Sequence, residues 1–284
     1  MAEPAAARAR SAAPAEFEWA EPPAILDIRD AEVFARGHLP GSGHLPEPDW
    51  ERRQSELPPR TEPVLVVAED AARARAAAVH LRELGYGEVA ALEASIEEWA
   101  RALDRSPARP LWRANATLRR SLARFGDRIV RGRAADLASG SGRDAVWLAL
   151  RGFEVEAWDR APEALARARE LAERFGVRLT TIECDLERDR PPLPEAHYAL
   201  LTCFRFLDRA LPARMARALQ PGGVLIYETF RLGQEQFGKP KRGQFLLRPG
   251  ELAAAFPGLE LLHAEEASPE GGPITACVVA RRPS

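Results

Sequence analysis

The chain has 284 residues, a length typical of two domains, and a formal net charge of −2. This near balance of charge implies no bulk attraction to nucleic acid, and no apolar run approaches the roughly 20 residues that a membrane-spanning helix needs. We therefore expect neither nucleic acid nor a membrane as a partner. The three cysteines, Cys184, Cys203 and Cys277, are widely spaced, so neither a disulfide framework nor a zinc site is predicted, and the expected location is cytoplasmic.

The first hundred residues divide into a leader and an alternating α/β pattern. Residues 1–15 are low in aromatic and β-branched side chains, which predicts a disordered leader rather than a signal peptide. Between residues 16 and 104 the pattern predicts strands at 24–30, 63–68 and 89–92 and helices at 30–37, 71–87 and 95–103. Such alternation is typical of a parallel sheet covered by helices.

The unit at 16–104 resembles a rhodanese-type domain. The matching residues are Asp27, Arg29, the loop 37–41 (GHLPG), the strand 63–68, Ile96 and Trp99. The resemblance implies a compact parallel α/β fold for this unit.

The departure from that family comes directly after the strand 63–68. A sulfurtransferase carries a cysteine there, at the head of a loop of N–H groups that lowers the pKa of the thiol. This chain has Ala68 instead, followed by Glu69 and Asp70, and its first cysteine is Cys184. We therefore expect no persulfide chemistry. We interpret the unit as a non-catalytic module that docks a protein partner or binds a substrate for the neighbouring domain.

A polar, proline-containing segment at 105–110 predicts a linker. A second domain is then expected over 111–284. Its first element is a helix with apolar residues at 111, 112, 118, 122 and 125.

Seven strands and three helices are predicted in the second domain. The strands lie at 133–138, 153–159, 178–184, 198–203, 223–230, 259–266 and 275–282, and the helices at 144–151, 161–175 and 208–219. A turn at 269–272 joins the last two strands as a hairpin. We expect an open, twisted α/β sheet with one antiparallel strand near an edge, and ligands at the carboxyl ends of the strands.

The loop after the first of these strands is rich in glycine. Gly140 and Gly142 permit a tight turn and close contact with a ligand, and the helix that follows offers unpaired N–H groups. A loop of this type serves either a dinucleotide or S-adenosylmethionine. Gly140, Gly142 and Ala145 also satisfy the dinucleotide pattern, so the glycines alone leave both ligands open.

Acidic residues at three strand ends separate the two ligands. Asp136 lies in the mouth of the loop, where a carboxylate would repel a pyrophosphate, and Asp159 and Asp185 end the next two strands. Together with Pro221-Gly222-Gly223 before VLIYETF, these acids resemble the class I S-adenosylmethionine-dependent methyltransferases. The segments DLASGSGRDAVWLA, AWD and YETF are similar to the tellurite-resistance and thiopurine-type small-molecule group. The resemblance implies a Rossmann-like seven-stranded sheet.

The resemblance also implies roles for individual residues, beginning with the cofactor. Ala138, Gly140 and Gly142 would shape the cofactor loop, Asp136 would organise the methionine end, and Asp159 would hold the ribose. The residues expected at or near the adenine are Arg160, Asp185 and Leu186, and Phe204 is expected in the wall of the cofactor or acceptor pocket.

The remaining predicted site residues concern the acceptor. Arg205 is expected in the wall of the acceptor pocket, and Glu228 is the predicted base at a strand end; no metal site is expected. The segment 202–209 lacks the Pro-Pro-aromatic tetrapeptide of DNA amino-methyltransferases. Residues 230–248 mix aromatic rings with cations, which predicts a lid over a small, soft or anionic acceptor; the alternative is a solvated loop.

The predicted function is therefore methyl transfer from S-adenosylmethionine to a small molecule, such as a thiol or a chalcogen oxyanion, in a chain that also carries a non-catalytic rhodanese-like module. One alternative is a non-enzymatic regulatory or scaffold protein. A nicotinamide-dependent oxidoreductase is disfavoured, because Asp136 and Asp185 would then have no role.

Overall fold

The computed structural model describes residues 11–12, 22–96, 103–268 and 273–284. The chain divides into two compact units, Met1–Arg113 and Ala114–Ser284. The boundary therefore falls after the expected linker 105–110, because Leu111 is buried in the core of the first unit. The linker itself is also tied to that unit, since the Arg109 N–H donates to the carbonyl oxygen of Ser42 at 2.9 Å.

The first unit is built on a parallel five-stranded sheet in the order β1-β5-β4-β2-β3. The strands are β1 (Ser11–Ala12), β2 (Ala24–Asp27), β3 (Gly43–His44), β4 (Val64–Val67) and β5 (Val89–Leu92), and the helices are α1 (Ala31–Arg36) and α2 (Ala71–Glu83). Most of the helix predicted at 95–103 lies outside the described residues. So does the predicted leader, apart from Ser11–Ala12, which pairs with β5; the disorder of the leader stays a prediction.

A buried ion pair fixes the end of β2. Arg29 donates to Asp27 Oδ2 at 2.7 Å, and the two side chains are 8% and 0% exposed. Arg29 also donates to the carbonyl oxygen of Gly37 at 3.0 Å, which ties the strand to the loop beyond α1. Because both charges are buried and paired, removal of either partner would leave an uncompensated charge in the core. Asp27 and Arg29 therefore serve the structure of this unit.

The second unit is a seven-stranded sheet in the order β11-β12-β10-β9-β6-β7-β8. The strands are β6 (Arg133–Leu137), β7 (Glu154–Asp159), β8 (Leu179–Glu183), β9 (Tyr198–Phe204), β10 (Leu219–Phe230), β11 (Glu260–Ala267) and β12 (Thr275–Arg281). Strand β12 runs antiparallel to both of its neighbours, and the other pairings are parallel. The predicted sheet and its one antiparallel strand near an edge are confirmed.

The helices of this unit are α3 (Ala116–Phe125), α4 (Arg143–Ala149), α5 (Pro162–Arg174), α6 (Leu211–Ala218) and α7 (Glu251–Ala254). Helix α3 begins later than predicted, because the Asn115 side chain caps it by accepting from the N–H of Thr117 at 2.7 Å. The turn at 269–272 lies outside the described residues. Among the residues that are described, no helix has the length and apolarity that crossing a bilayer requires.

The strand order places the expected ligand site. Chain order reverses between β6 and β9, and all seven residues of β9 are buried. In open α/β sheets ligands bind beyond the carboxyl ends of the strands at such a reversal.

Candidate active site

A cavity of about 700 Å³ lies in the second unit, lined by residues that follow the carboxyl ends of β6 to β10. Its lining residues are Ala138, Asp159, Arg160, Cys184, Asp185, Leu186, Glu187, Arg205, Phe206, Leu207, Thr229, Phe230, Lys239, Pro240, Lys241, Arg242 and Phe245. A volume of this size is typical of small-molecule sites. The cavity therefore brings together two of the three strand-end acids, Asp159 and Asp185, and part of the predicted lid.

The glycine loop turns from β6 into α4 through left-handed backbone. Gly142 has φ 77°, and a Cβ atom there would lie 2.5 Å from the Cβ of Ala168 on α5. Only glycine therefore permits both this turn and the close packing of the loop on α5. Gly140 has φ 54°, but a Cβ atom there would meet no atom within 4 Å.

Asp159 lies at the end of β7 and binds two backbone segments. Its Oδ2 accepts from the Gly140 N–H at 2.8 Å, and its Oδ1 accepts from the Ala161 N–H at 2.9 Å. The carboxylate lines the cavity and also fixes the glycine loop.

Asp185, just after β8, lies beside Arg160 and Leu186 in the lining. Its Oδ1 accepts from the N–H groups of Arg188 and Glu187 at 3.0 and 3.1 Å. These two hydrogen bonds, with the Arg160 guanidinium 3.7 Å from Oδ2, hold the pKa of Asp185 below its ordinary value. Asp185 is therefore an ionised acceptor at the cavity wall.

Asp136 is nearly fully buried at the end of β6 and is not part of the cavity lining. It accepts from Thr202 Oγ1 at 2.8 Å. Burial, followed by the nearby carboxylate of Asp144, raises its pKa well above the usual range. The structure places Asp136 behind the loop, so contact with a ligand would need a rearrangement or an intervening water, and its role at the methionine end stays a prediction.

Glu228 is likewise outside the cavity lining. One carboxylate oxygen accepts from Asn115 Nδ2 at 3.2 Å and the other from Thr117 Oγ1, both at the start of α3. The Asn115 N–H donates to Asp144 Oδ1 at 2.6 Å. These bonds connect α3 to β10 and α4. This geometry favours a positioning role for Glu228, whereas the neighbouring residue Thr229 lines the cavity.

Two non-glycine residues that line the cavity adopt left-handed backbone. Ala138 has φ 59° and Arg205 has φ 57°. This conformation costs roughly 1–2 kcal/mol for a residue with a Cβ atom. The Arg205 N–H donates to the carbonyl oxygen of Glu228 at 2.8 Å, which holds the turn after β9. Phe204, one residue earlier, is buried in β9 and is outside the lining.

The segment 230–248 contributes a cationic and aromatic wall. Lys239, Lys241, Arg242 and Phe245 all line the cavity. The segment is anchored from within by Gln234, whose side chain accepts from the Ile274 N–H at 2.8 Å. In the structure this segment therefore forms one wall of the cavity.

Other side chains of the same segment have different surroundings. Phe237 is 54% exposed. Arg231 donates to Ser268 Oγ at 2.6 Å and lies 4.0 Å from Glu266. Neither residue is part of the cavity lining.

The lining thus contains six of the predicted site residues, namely Ala138, Asp159, Arg160, Asp185, Leu186 and Arg205. Five others are outside it, namely Asp136, Gly140, Gly142, Phe204 and Glu228. Reasoning from the sequence missed Cys184, Glu187, Leu207, Thr229 and Pro240. The available signal was proximity in sequence to Asp185, Arg205 or Glu228 for the first four, and the predicted lid for Pro240.

Two family models match the chain. Residues 12–102 match the rhodanese-like domain, and residues 134–223 match the methyltransferase domain.

Two solved structures are similar in fold. TehB from Haemophilus influenzae aligns with a TM-score of 0.50 and 20% identity, over 60% of this chain and 62% of that chain. The present chain therefore covers less than two thirds of TehB. Phosphoethanolamine N-methyltransferase 2 from Haemonchus contortus, in complex with S-adenosyl-L-methionine, aligns with a TM-score of 0.51 and 18% identity, over 59% of this chain and 52% of that chain. At such identities the similarity shows the fold alone.

Proposed function

We propose that the second domain of this chain methylates a small anionic acceptor, such as a thiolate or a chalcogen oxyanion. The chain carries a rhodanese-like domain followed by an S-adenosylmethionine-dependent methyltransferase domain. The observation that carries this proposal is the composition of the cavity wall. Both lysines of the chain, Lys239 and Lys241, line the cavity together with Arg205 and Arg242.

The cofactor side of the cavity is formed by the ends of β6, β7 and β8. Asp159 and Asp185 supply carboxylate oxygens, which accept hydrogen bonds from hydroxyl and amino groups but do not attract phosphate. Leu186 adds an apolar surface beside Asp185. These acceptor groups fit the hydroxyl groups of the ribose and the amino group of the adenine in S-adenosylmethionine.

The acceptor side is formed by the ends of β9 and β10 and by the segment 230–248. The sheet order puts β9 and β10 on the opposite side of β6 from β7 and β8. Arg205 follows β9, and Thr229 and Phe230 end β10. A cation at this position attracts an anionic acceptor, and the aromatic rings exclude water around it.

The chain contributes orientation rather than covalent chemistry. When bound, the cofactor would supply a methyl group on a sulfonium, and an acceptor lone pair would take this group in line while the electrons of the S–CH3 bond return to sulfur. Arg205 and Lys239 would hold the acceptor at its negative charge, which supplies proximity. A thiolate or oxyanion needs no general base, so the position of Glu228 outside the lining is compatible with this reaction.

The rhodanese-like domain has a non-catalytic role in this proposal. Ala68 stands where a sulfurtransferase needs its cysteine. Asp70, two residues later, caps α2 by accepting from the Arg73 N–H at 2.8 Å. We therefore infer that this domain binds another molecule non-covalently and that this molecule is a protein.

Thermal shifts of the full chain with S-adenosylmethionine, S-adenosylhomocysteine and NAD test the cofactor. A ligand that binds only the native state raises its stability. We expect both adenosyl compounds to stabilise the protein and NAD to have no effect. Stabilisation by NAD alone would indicate an oxidoreductase and overturn the proposal.

A methyl-uptake screen tests the acceptor. The protein is incubated with methyl-labelled cofactor and with thiols, selenite, tellurite or small amines, and the label in each product is counted. We expect transfer to anionic, soft acceptors. Binding of the cofactor without transfer to any member of the panel would favour the regulatory or scaffold alternative.

A further inference from the structure

Three side chains that can bind a metal ion meet on one face of β11 and β12. They are His263 and Glu265 on β11 and Cys277 on β12. A ring nitrogen of His263, a carboxylate oxygen of Glu265 and Sγ of Cys277 all lie within 4.8 Å of one another. None of the three lines the cavity described above, so the proposed methyl transfer gives them no role.

A register shift in the hairpin strands brings these residues together. The pairing of β11 with β12 shifts by one residue between Leu261 and His263. Beyond the shift, Glu265 stands directly opposite Cys277. His263 lies on the same face, because side chains two residues apart in a strand share a face. An unshifted register would put Ala264 opposite the thiol instead, and β-bulges commonly redirect side chains in this way.

The burial of the three groups suits an ion that enters from solvent. Cys277 is 6% exposed and forms the base of the cluster. The side chains of His263 and Glu265 are 30% and 51% exposed, and His263 Nε2 lies 3.4 Å from Glu265 Oε2. The cluster is thus closed on the thiol side and open on the imidazole and carboxylate side.

The charges around Cys277 favour a cation. Glu228 on β10 and Glu265 on β11 stand opposite Cys277 on its two sides. These two carboxylates put negative charge on both sides of the thiol, which attracts a divalent cation.

We propose that His263, Glu265 and Cys277 bind one zinc ion, with the fourth position left to water. A tetrahedral zinc ion with ligands at about 2.0–2.3 Å holds its ligand atoms about 3–4 Å apart. The exposed side chain of Glu265 can make the small closing movement that this requires. A site with both thiolate and imidazole selects zinc over magnesium or calcium, which prefer oxygen ligands.

Zinc titration of the chelator-treated full chain tests this site, with stoichiometry and affinity read by calorimetry. Cobalt(II) serves as a second probe, since its thiolate complex has a charge-transfer absorption that reports the sulfur ligand. We expect one ion per chain, a cobalt–thiolate band and a higher melting temperature with zinc. Cys277→Ser, His263→Asn and Glu265→Gln should each weaken zinc binding by more than about tenfold. Mutation of a residue that only orients a metal ligand already lowers metal affinity by about tenfold or more.

Matched controls are Cys184→Ser, His197→Asn and Glu260→Gln, which remove the same side-chain types elsewhere in this unit and should leave zinc affinity unchanged. Since Cys277→Ser alters a buried position, its circular dichroism spectrum is compared with that of the native chain; the other two ligand variants change partly exposed side chains. Absence of zinc binding, absence of the thiolate band, or equal binding by His263→Asn would overturn the proposal and leave only a contact between the side chains of His263 and Glu265.

Discussion

Asp159 Oδ2 accepts a hydrogen bond from the Gly140 N–H at 2.8 Å, so an acid at the end of β7 holds the loop that follows β6. Its Oδ1 accepts a second hydrogen bond, from the Ala161 N–H at 2.9 Å. A carboxylate offers about four acceptor sites, so both oxygens can still accept from a ligand. Asp159 therefore combines two tasks: it fixes the glycine loop before any ligand binds, and it faces the cavity.

Asp159→Ala should weaken S-adenosylmethionine binding by roughly 1–3 kcal/mol, or about 5- to 150-fold, because hydrogen bonds to a charged group are lost and the loop is released. Calorimetric titration measures this change. Glu173→Gln, an exposed acid near the end of α5, is the control and should bind normally. Unchanged affinity in a folded Asp159→Ala protein would remove the ribose assignment.

Gly142→Ala and Gly140→Ala should differ in their effect on stability. Both residues have positive φ, so each substitution costs roughly 1–2 kcal/mol of backbone strain. At Gly142 the new Cβ atom would also lie 2.5 Å from the Cβ of Ala168, and relief of that overlap adds about 1–3 kcal/mol. Urea unfolding should therefore show the larger loss for Gly142→Ala. Equal losses would mean that α5 moves away freely.

Asp136→Asn should stabilise the protein at neutral pH. The folded-state pKa of Asp136 is raised above its unfolded value by burial and then by Asp144. The protonated form is therefore preferred by the folded state. The contribution of Asp136 to the free energy of unfolding is fully present below its unfolded-state pKa of about 3.9. This contribution is lost as pH rises through the folded-state pKa of Asp136. Asparagine stays neutral, and its side-chain oxygen can still accept from Thr202.

Thermal unfolding of Asp136→Asn and of the native chain from pH 4 to pH 8 checks this expectation. The two proteins should converge at the acid end, and the variant should melt higher at pH 8. If Asp136 also organises the ammonium group of the cofactor, the same variant should bind S-adenosylmethionine more weakly. A variant that melts lower than the native chain at pH 8 would contradict the burial argument.

Several features of this molecule could be predicted from the sequence because local signals specify them. Strand-end acids, a glycine turn and alternating apolar runs indicated where the seven strands of the second unit lie along the chain. The position of the unit boundary could not be predicted in this way. Leu111 reads as the start of an amphipathic helix, but its burial in the first unit depends on contacts with residues far away in the chain.

Side-chain direction was also beyond the sequence. Glu228 and Thr229 are adjacent in β10 and face opposite sides of the sheet. The pairing of β10 with β9 and the packing of α3 decide which of the two side chains meets the cavity. The grouping of His263 with Cys277 likewise depends on a one-residue shift between β11 and β12. No spacing of cysteines and histidines along the chain could reveal it.

Lys239→Ala combined with Arg242→Ala should raise the KM for an anionic acceptor or lower turnover, because two cations leave the cavity wall. Affinity for the cofactor should stay near normal, since its proposed contacts lie on β7 and β8. Steady-state kinetics with an acceptor found in the methyl-uptake screen measures the first effect, and calorimetry measures the second. Arg248→Ala removes a cation of the same segment that does not line the cavity, and should behave like the native chain. If the double variant has native kinetics, residues 230–248 are a solvated loop and do not bind the acceptor.

The loop after β4 predicts the absence of sulfurtransferase activity. The unmodified chain should release no thiocyanate from thiosulfate and cyanide, because Ala68 has no nucleophile. Ala68→Cys alone should restore little activity. Asp70 Oδ1 already accepts from the Arg73 N–H at 2.8 Å. The neighbouring residue Glu69 is paired with Arg73, with 3.2 Å between Oε2 and Nε. Two negative charges would raise the pKa of the new thiol and repel an anionic sulfur donor.

Adding Glu69→Gln and Asp70→Asn to Ala68→Cys should therefore lower the thiol pKa, measured by the pH dependence of alkylation, and raise the rate of thiocyanate release. The matched control adds Glu83→Gln, an exposed acid at the far end of α2, to Ala68→Cys, and should change neither quantity. A rate that rises equally in the control would show that the charges beside the loop are irrelevant. Robust thiocyanate release by the unmodified chain would show that another group performs sulfur transfer, and the non-catalytic role of this domain would have to be abandoned.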